Sequence, residues 1–302
     1  MPVHDDLGLR MKEYYEQIPK MRLMRREPVI IRIDGKAFHF FTKGFKRPFD
    51  DVLIESMQQT MKYLCENVQG CVLGYHQSDE ISLVLIDYQR LTSDAWFGYE
   101  VQKICSIAAS MATMVFNKFF LERIGKFVIH KQSILEELGL TVDPNVRKLI
   151  ATYSDASKNG AMFDARCFNI PKEEVTNYIY WRQVDASRNS IQMVGQANFS
   201  HKELHGKSCN QIQDMLMTQK GINWNDFPIY QKRGSCCVKE KYFIPCEEGN
   251  SIQYPAGCSD PYLDDEITEG AWRTHWIVDK EIPIFKGEDR NYIDKLIYVG
   301  EE

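Results

Sequence analysis

The sequence has no excess of positive charge, which excludes one simple route to nucleic-acid binding. Its 302 residues include 37 lysines and arginines against 42 acidic residues, a formal net charge of −5. A chain with this balance could bind a nucleic acid only through local basic patches. We expect such binding to weaken as the salt concentration rises.

Paired cysteines are also missing. Nine cysteines are present, but none forms a CxxC pair, and the group of Cys236, Cys237, Cys246 and Cys258 fits no zinc spacing. Other cysteines lie inside apolar segments, which is typical of free thiols in a reducing compartment. We find no signal peptide and no apolar run of membrane-spanning length. The sequence therefore predicts a cytoplasmic protein without a membrane partner.

The composition that is present is ordinary for a globular protein, 44% hydrophobic and 26% charged. Residue periodicity predicts a helix over residues 7–26 and a strand from residue 29. A helix with Asp50 or Asp51 as its N-cap, a strand hairpin over residues 71–86, a long helix over 96–124 and a strand over 163–170 follow. This order predicts an α+β fold with a split βαβ unit, a βαββαβ mixed sheet and flanking helices.

We expect two parts along the chain. Residues 1–235 would form the main domain, with a helical insertion at about 131–160, where the sequence becomes more polar and contains glycines and a proline. From residue 236 the chain is rich in aromatic residues, acids, cysteines and prolines. Residues 236–302 are therefore predicted to be a C-terminal extension packed on the core.

Asp34 and Gly35 stand where the first predicted strand stops, after the β-branched residues Val29, Ile30, Ile31 and Ile33. An acid followed by glycine at a strand end puts a carboxylate beside an unobstructed backbone carbonyl, and these hard oxygens suit Mg²⁺. Basic residues follow between positions 36 and 47, enough to hold a polyphosphate. Without further sites, a simple strand-ending turn explains this pair equally well.

A second acidic site lies at the tip of the predicted hairpin, at Ser78, Asp79 and Glu80. In a split βαβ sheet, the end of the first strand lies beside this hairpin, so Asp34 and Asp79 would face each other. Two carboxylates and the Gly35 carbonyl could hold two Mg²⁺ ions for in-line displacement at phosphorus, as in the palm of polymerases and nucleotidyl cyclases. The alternative is a solvated hairpin tip. His76 beside these acids is expected to form a hydrogen bond rather than to bind metal.

Five segments carry a resemblance to one family. They read RIDGKAFH at 32–39, YHQSDE at 75–80, FDAR at 163–166, YWRQVD at 180–185 and FPIYQKRG at 227–234. Together, and in this order, they resemble the tRNA-histidine guanylyltransferases and their relatives, the guanylyltransferase-like 3′-to-5′ RNA polymerases. The resemblance extends from about residue 29 to about residue 240.

The resemblance implies a palm-fold nucleotidyltransferase that adds nucleotides to tRNA 5′ ends and uses ATP, GTP or other nucleoside triphosphates with two Mg²⁺ ions. It also implies a homotetramer. By the match, Asp34, Asp79 and Glu80 would be the catalytic acids, and Asp34, Gly35 and Asp79 would hold the metals. The nucleotide would contact a larger set, Lys36, Ala37, Phe38, His39, Arg47, Ser78 and Lys103.

The sequence departs from the guanylyltransferases proper at residues 187–193, which read SRNSIQM in place of the family's HINNLYN. This change favours the template-dependent branch that repairs tRNA 5′ ends. A dedicated tRNA-histidine guanylyltransferase is the first alternative, a nucleotidyl cyclase the second, and a non-catalytic RNA-binding protein the third. The candidates for RNA contact are Arg182, Arg188, Asn189, Lys202, Lys207, Lys232 and Arg233; a solvated helix face explains several of them equally well.

Overall fold

A computed structural model describes residues 5–138, 143–245 and 270–299. The described strands form one six-stranded sheet in the order β4-β1-β3-β2-β5-β6. In chain order they are β1 (Val29–Gly35), β2 (Cys71–Gln77), β3 (Glu80–Leu85), β4 (Phe163–Asn169), β5 (Ser235–Pro245) and β6 (Gly270–Asp279).

Ten α-helices surround the sheet in the described part of the chain. They are α1 (Asp6–Met11), α2 (Phe38–Phe41), α3 (Asp51–Asn67), α4 (Val101–Leu138), α5 (Pro144–Asn159), α6 (Lys172–Asn198), α7 (His201–Leu204), α8 (Cys209–Lys220), α9 (Ile229–Arg233) and α10 (Asn291–Ile297). A π-helical turn at Lys12–Glu16 and 3-10 turns at Trp96–Tyr99, Trp224–Asp226 and Gly287–Arg290 complete the helical elements.

The predicted α+β class is confirmed, but the mixed sheet is wrong. Every neighbouring strand pair in the described sheet is antiparallel. The parallel relation of the split βαβ unit holds between β1 and β2, which both run antiparallel to β3. Because β3 lies between them, no two parallel strands are hydrogen-bonded to each other.

The core has a layer on each face of the sheet, because side chains alternate along the strands. In β1, Ile31 and Ile33 point into the layer that also contains buried residues of α3, α4 and α5. Ile30 points the other way, into the layer that contains residues of α6 and α10. Helix α3 begins at Asp51 and has Asp50, one of the two predicted candidates, as its N-cap. The Asp50 carboxylate accepts a hydrogen bond from the Leu53 amide.

The N-terminal helix is shorter than predicted. It ends in the π-helical turn Lys12–Glu16, and no helix continues over residues 17–26. Pro19 lies just beyond that turn, and proline cannot donate the backbone hydrogen bond that a longer helix needs. Further on, Arg22 pairs with Glu100 in an isolated antiparallel bridge.

Contrary to the absence predicted from the sequence, one described helical stretch, Val101–Lys131, is long and apolar enough to cross a membrane by length and composition alone. One side of this stretch belongs to the core. Ile104, Ala108, Ala112 and Phe116 are fully or almost fully buried and pack in the layer beneath β1 and β4. Core helices of globular proteins meet the same criterion of length and composition.

The predicted insertion at 131–160 contains the end of α4 and the whole of α5, while residues 139–142 lie outside the described residues. Strand β5 begins at the boundary drawn near residue 235 and pairs with β2 from Gly74 to His76. Residues 246–269 and 300–302 of the predicted extension also lie outside the described residues. The division into two parts stays a prediction.

Candidate active site

The structure brings the two acidic sites together at one edge of the sheet. Asp34 lies opposite Glu80 in the β1–β3 pairing. The Gly35 amide donates a hydrogen bond to the Asp79 carbonyl over 3.1 Å, which ties the end of β1 to the β2–β3 turn. Ser78 enters this turn with φ 53°, in the left-handed region. Asp34 and Asp79 therefore lie side by side because a strand end meets a hairpin tip.

The Asp79 carboxyl is held in an environment that disfavours its charge. Burial raises its pKa, and the charges of Asp34 and Glu80 raise it further. Hydrogen bonds from its own backbone amide and from Ser78 oppose this shift without cancelling it. A nearby cation would stabilise the ionised form of this pair of acids.

Glu80 has a different environment from Asp79. Its side chain is only 3% exposed, and Arg182 donates two hydrogen bonds to it, over 2.7 and 2.6 Å. Arg32 donates another over 2.8 Å, and Gln77 a fourth over 3.2 Å. Both carboxylate oxygens are thus occupied by protein donors. Glu80 therefore belongs to an internal ion cluster, and its catalytic role stays a prediction.

A cavity of about 560 Å³ opens beside Asp79. It is formed by the end of β1, the segment through α2 to the start of α3, the β2–β3 turn and one side of α6. Six residues predicted for metal or nucleotide binding line it besides Asp79: Gly35, Ala37, Phe38, His39, Arg47 and Ser78. Its volume and its polar edge suit a nucleotide.

Two residues predicted to contact the nucleotide lie elsewhere. Lys36 lines a neighbouring cavity of about 560 Å³ on the α5 side of α2, which shares Ala37 with the first. Lys103 lies in the first turn of α4, with its ammonium 4.8 Å from the centre of the Phe97 ring. The structure therefore separates Lys103 from the cavity that contains Ala37 and His39.

The predicted RNA contacts fall into buried and exposed groups. Arg182 is 5% exposed and bound to Glu80, and Lys232 is 8% exposed, with its ammonium donating to the Asn225 carbonyl over 2.5 Å. Burial lowers the pKa of Lys232. Arg233 is half-buried, with an Nε atom that has no hydrogen-bond partner. The exposed members are Arg188, Asn189, Lys202 and Lys207.

Lys207 lines a second cavity, of about 430 Å³, which adjoins the nucleotide-sized cavity through Arg47 and Gln196. His201 and His205 also line it. Lys207 and Arg47 therefore line an opening next to Asp79, whereas Arg182 and Lys232 are buried. Burial, which sequence position does not reveal, separates these two groups.

The sequence did not point to several residues that line the nucleotide-sized cavity. Thr42, Asp50, Met193 and Gln196 are examples. Met193 lies at the end of the segment that departs from the guanylyltransferases proper, and that departure was the only signal for it. Asp50 was recognised only as a helix cap, and its carboxylate also accepts a hydrogen bond from Tyr153 over 2.6 Å.

The donor set at the strand end fits magnesium. Within the described residues, no group of three or more His, Cys, Asp or Glu side chains is arranged to hold a metal ion. Magnesium usually takes only one or two carboxylates and completes its shell with water and substrate phosphates. Asp34, Asp79 and the Gly35 carbonyl satisfy that need. Arg32 and Arg166 each lie 3.8 Å from an Asp34 carboxylate oxygen, whereas burial, with the nearby charge of Asp34, raises the pKa of Asp79, which a bound cation would offset.

Comparison with known proteins identifies the family of this chain. A sequence model of the family described as Thg1, tRNAHis guanylyltransferase, matches residues 9–171. A solved bacterial tRNA(His) guanylyltransferase (Thg1)-like protein in complex with ATP is 40% identical, covering 97% of this chain and all of that one with a TM-score of 0.72. Another such structure, in complex with GTP, is 38% identical, covers 98% and 100% of the two chains, and gives a TM-score of 0.67.

A more distant relative is the tRNA(His) guanylyltransferase of Schizosaccharomyces pombe, 26% identical over 246 residues, which are 76% of this chain and 80% of that protein. These matches define the class of protein as a nucleotidyltransferase. The chain belongs to the Thg1 family.

Proposed function

We propose that this protein adds nucleotides to tRNA 5′ ends in the 3′-to-5′ direction, using base pairing with the opposite strand to select each nucleotide. The observation that carries the proposal is the pair of acids where the end of β1 meets the β2–β3 turn, Asp34 and Asp79, of which Asp79 lines a nucleotide-sized cavity. The 40% identity to a bacterial Thg1-like protein in complex with ATP supports ATP as a substrate, and the complex of a similar protein with GTP supports GTP.

Two transfers at phosphorus make up the proposed reaction. In the first, an oxygen of the RNA 5′-monophosphate attacks the α-phosphorus of ATP, and pyrophosphate leaves. In the second, the 3′-hydroxyl of an incoming nucleoside triphosphate attacks the 5′-phosphorus, and AMP leaves. Each step forms one P–O bond and breaks one, so the same arrangement of groups could serve both.

The residues around the cavity have distinct tasks in this proposal. Asp34, Asp79 and the Gly35 carbonyl would hold two magnesium ions, which supply charge stabilisation at the attacking and leaving oxygens. Ala37 and His39 would contact the nucleotide on one wall of the cavity and Arg47 its phosphates on another. The exposed Lys207 would attract the RNA strand towards the acids.

The altered segment at 187–193 supports the repair branch over dedicated recognition of tRNA-histidine. Within it, Met193 contributes an apolar side chain to the cavity wall. An apolar contact of this kind cannot distinguish bases by hydrogen bonding, so nucleotide choice would fall to the opposing strand. The homotetramer of the family is part of the same proposal.

The test is an extension assay with magnesium, ATP and all four nucleoside triphosphates. One substrate is a 5′-monophosphorylated tRNA that lacks its first nucleotide, made in four versions that differ only in the opposing base. We expect the added nucleotide to change with that base. A full-length tRNA-histidine is assayed beside it, and Asp79→Asn is the control for catalysis.

Three other outcomes of this assay would each favour a different function. Extension of tRNA-histidine alone, always by G, would favour the dedicated guanylyltransferase. Consumption of nucleoside triphosphate to a cyclic product without RNA would favour the nucleotidyl cyclase. RNA binding that survives Asp79→Asn, with no nucleotide transfer by the unaltered protein, would favour a non-catalytic binding protein.

A further inference from the structure

A chain of buried hydrogen bonds lies directly beneath the β2–β3 turn. His76 of β2 makes a hydrogen bond with the Ser78 carbonyl through Nε2, over 3.0 Å. Its Nδ1 lies 3.4 Å from the hydroxyl of Ser235, the first residue of β5. Gln58 of α3 donates to that hydroxyl over 3.2 Å. The three side chains are almost fully buried, and they connect a helix and two strands to the turn.

The direction of each hydrogen bond follows from the surroundings. Burial lowers the pKa of His76 to about 4, so the ring is neutral near pH 7. Because a carbonyl can only accept, Nε2 carries the proton and donates it to Ser78. Nδ1 is then an acceptor, and the Ser235 hydroxyl donates to it while accepting from Gln58. Every member of the chain thus has one defined role.

The carbonyl held by His76 belongs to the peptide unit that orients Asp79. The amide of that same peptide unit is that of Asp79, and the Asp79 carbonyl accepts a hydrogen bond from the Gly35 amide over 3.1 Å. Ser78 adopts a left-handed backbone conformation that non-glycine residues rarely use. The backbone of Asp79 is thus held on both sides, by His76 through the Ser78 carbonyl and by Gly35, and the carboxylate projects from this fixed backbone.

We propose that His76, supported by Ser235 and Gln58, is a positioning residue that sets the Asp79 carboxylate for metal binding. This inference rests on the proposed function, in which Asp79 is a metal ligand. His76 does not line the nucleotide-sized cavity; it borders a small one of about 80 Å³ behind it. Loss of its hydrogen bond should therefore weaken metal binding without weakening nucleotide binding.

The test compares variants of the full chain by two measurements. His76→Leu removes both hydrogen bonds of the ring, and His76→Gln retains an amide donor that can reach the Ser78 carbonyl. Ser235→Ala removes the hydroxyl that lies 3.4 Å from His76 Nδ1 and leaves the imidazole itself unchanged. Ser82→Ala is the matched control. Ser82, like Ser235, is a fully buried serine of the sheet, but its hydroxyl forms a hydrogen bond with the Tyr178 hydroxyl and not with His76.

The first measurement is Mn²⁺ affinity by electron paramagnetic resonance, and the second is steady-state transfer with ATP. We expect His76→Leu to weaken Mn²⁺ binding and lower kcat by about 10- to 100-fold, the usual range for partners of metal ligands. The KM for ATP should change less than about twofold, because the network lies outside the cavity. Ser235→Ala should show the same pattern with a smaller loss, and His76→Gln should recover most of the activity.

Thermal unfolding of each variant separates positioning from loss of fold. The inference is overturned if Ser235→Ala and His76→Leu affect Mn²⁺ affinity no more than Ser82→Ala does, or if KM rises while Mn²⁺ affinity is unchanged. If His76→Leu does not fold, the Mn²⁺ affinity of Ser235→Ala, compared with that of Ser82→Ala, tests the inference. An unaltered protein that binds Mn²⁺ but transfers no nucleotide would contradict the proposed function, and the Mn²⁺ affinities of the variants would still decide the inference.

Discussion

Asp79 and Glu80 are adjacent in the chain but lie in opposite environments. The Asp79 carboxyl borders a cavity, close to the like charge of Asp34, and its pKa is raised. Glu80 is enclosed by donors from Arg182, Arg32 and Gln77. We call the first environment the open acid pair, Asp34 and Asp79, and the second the closed ion cluster, Glu80 with Arg182 and Arg32. The difference teaches that the partners of an acid, and not its place in a motif, decide whether it can bind a metal.

The largest expected effect is on the open acid pair. Asp34→Asn keeps the shape of the side chain and removes one metal-binding charge, so we expect transfer activity to fall by about three orders of magnitude, corresponding to several kcal/mol of lost charge stabilisation. The thermal midpoint should hardly change. Activity is measured in the extension assay and stability by calorimetry.

Asp164→Asn is the matched control for this prediction. Asp164 lies directly opposite Asp34 in the β1–β4 pairing and is exposed, with Arg166 as its partner. Its substitution should change activity less than about threefold, as expected for a solvent-exposed pair. Equal losses in both variants would mean that general charge at this edge, and not a ligand position, matters.

Substitution in the closed ion cluster should mainly lower the stability of the protein, whereas substitution in the open acid pair should mainly lower its activity. Glu80→Gln leaves the buried Arg182 with the partly exposed Asp185, 3.0 Å away, as its remaining carboxylate partner. Removing one partner of a buried pair costs about 3 kcal/mol of unfolding free energy. Chemical denaturation measures this directly. A variant with full stability and no activity would instead return Glu80 to the catalytic group.

The neutral histidine beneath the open acid pair predicts a dependence of stability on pH. Burial lowers the pKa of His76 from its ordinary value of 6.5 to about 4. The unfolded chain therefore takes up a proton below about pH 6.5 that the folded protein does not. The contribution of His76 is fully present above that pH and is lost as the pH falls towards 4, by at most about 1.4 kcal/mol per pH unit.

The measurement is denaturation of the unaltered protein and of His76→Gln between pH 4 and 7.5. Subtracting the two curves isolates the histidine from the carboxyl groups. A difference that stays constant over this range would mean that the ring of His76 has the same pKa in the folded and the unfolded chain, contrary to the effect expected from burial.

The smallest expected effect concerns Arg166, whose Nη2 lies 3.8 Å from an Asp34 carboxylate oxygen. Its side chain is 54% exposed, and exposed ion pairs contribute little. Arg166→Gln should change the Mg²⁺ concentration at half-maximal activity by less than about threefold. A much larger effect would show that the open acid pair also depends on a fixed positive partner.

Part of this comparison could be predicted from the sequence. The strand ending at Asp34 and the hairpin carrying Asp79 were recognisable, and the strand order of a split βαβ unit placed them side by side. The direction of each side chain was not predictable, because it depends on distant partners. Arg182 reaches Glu80 across 102 positions of sequence, and this contact turns a predicted RNA contact into an internal one.

The partner of Lys232 was equally unpredictable from the sequence, although it lies only 7 positions away. The motif around Lys232 suggested proximity to RNA, but the short helix α9 directs the Lys232 ammonium to the carbonyl of Asn225. The mixed sheet was wrong for a related reason: periodicity finds strands, while only tertiary pairing shows that β3 separates β1 from β2. The Gln58–Ser235–His76 network joins three elements far apart in sequence and gave no signal beyond the single expectation that His76 forms a hydrogen bond.

Strand β5 has a consequence for shortening the chain. It pairs with β2 at Gly74, Tyr75 and His76, and its Cys236 and Cys237 are fully buried. A chain that stopped at residue 235 would expose one edge of β2, with its unpaired amide and carbonyl groups, to other molecules. Such an edge invites strand-to-strand aggregation. Removal of the residues after 235 would therefore produce a protein prone to self-association through the strand that carries His76.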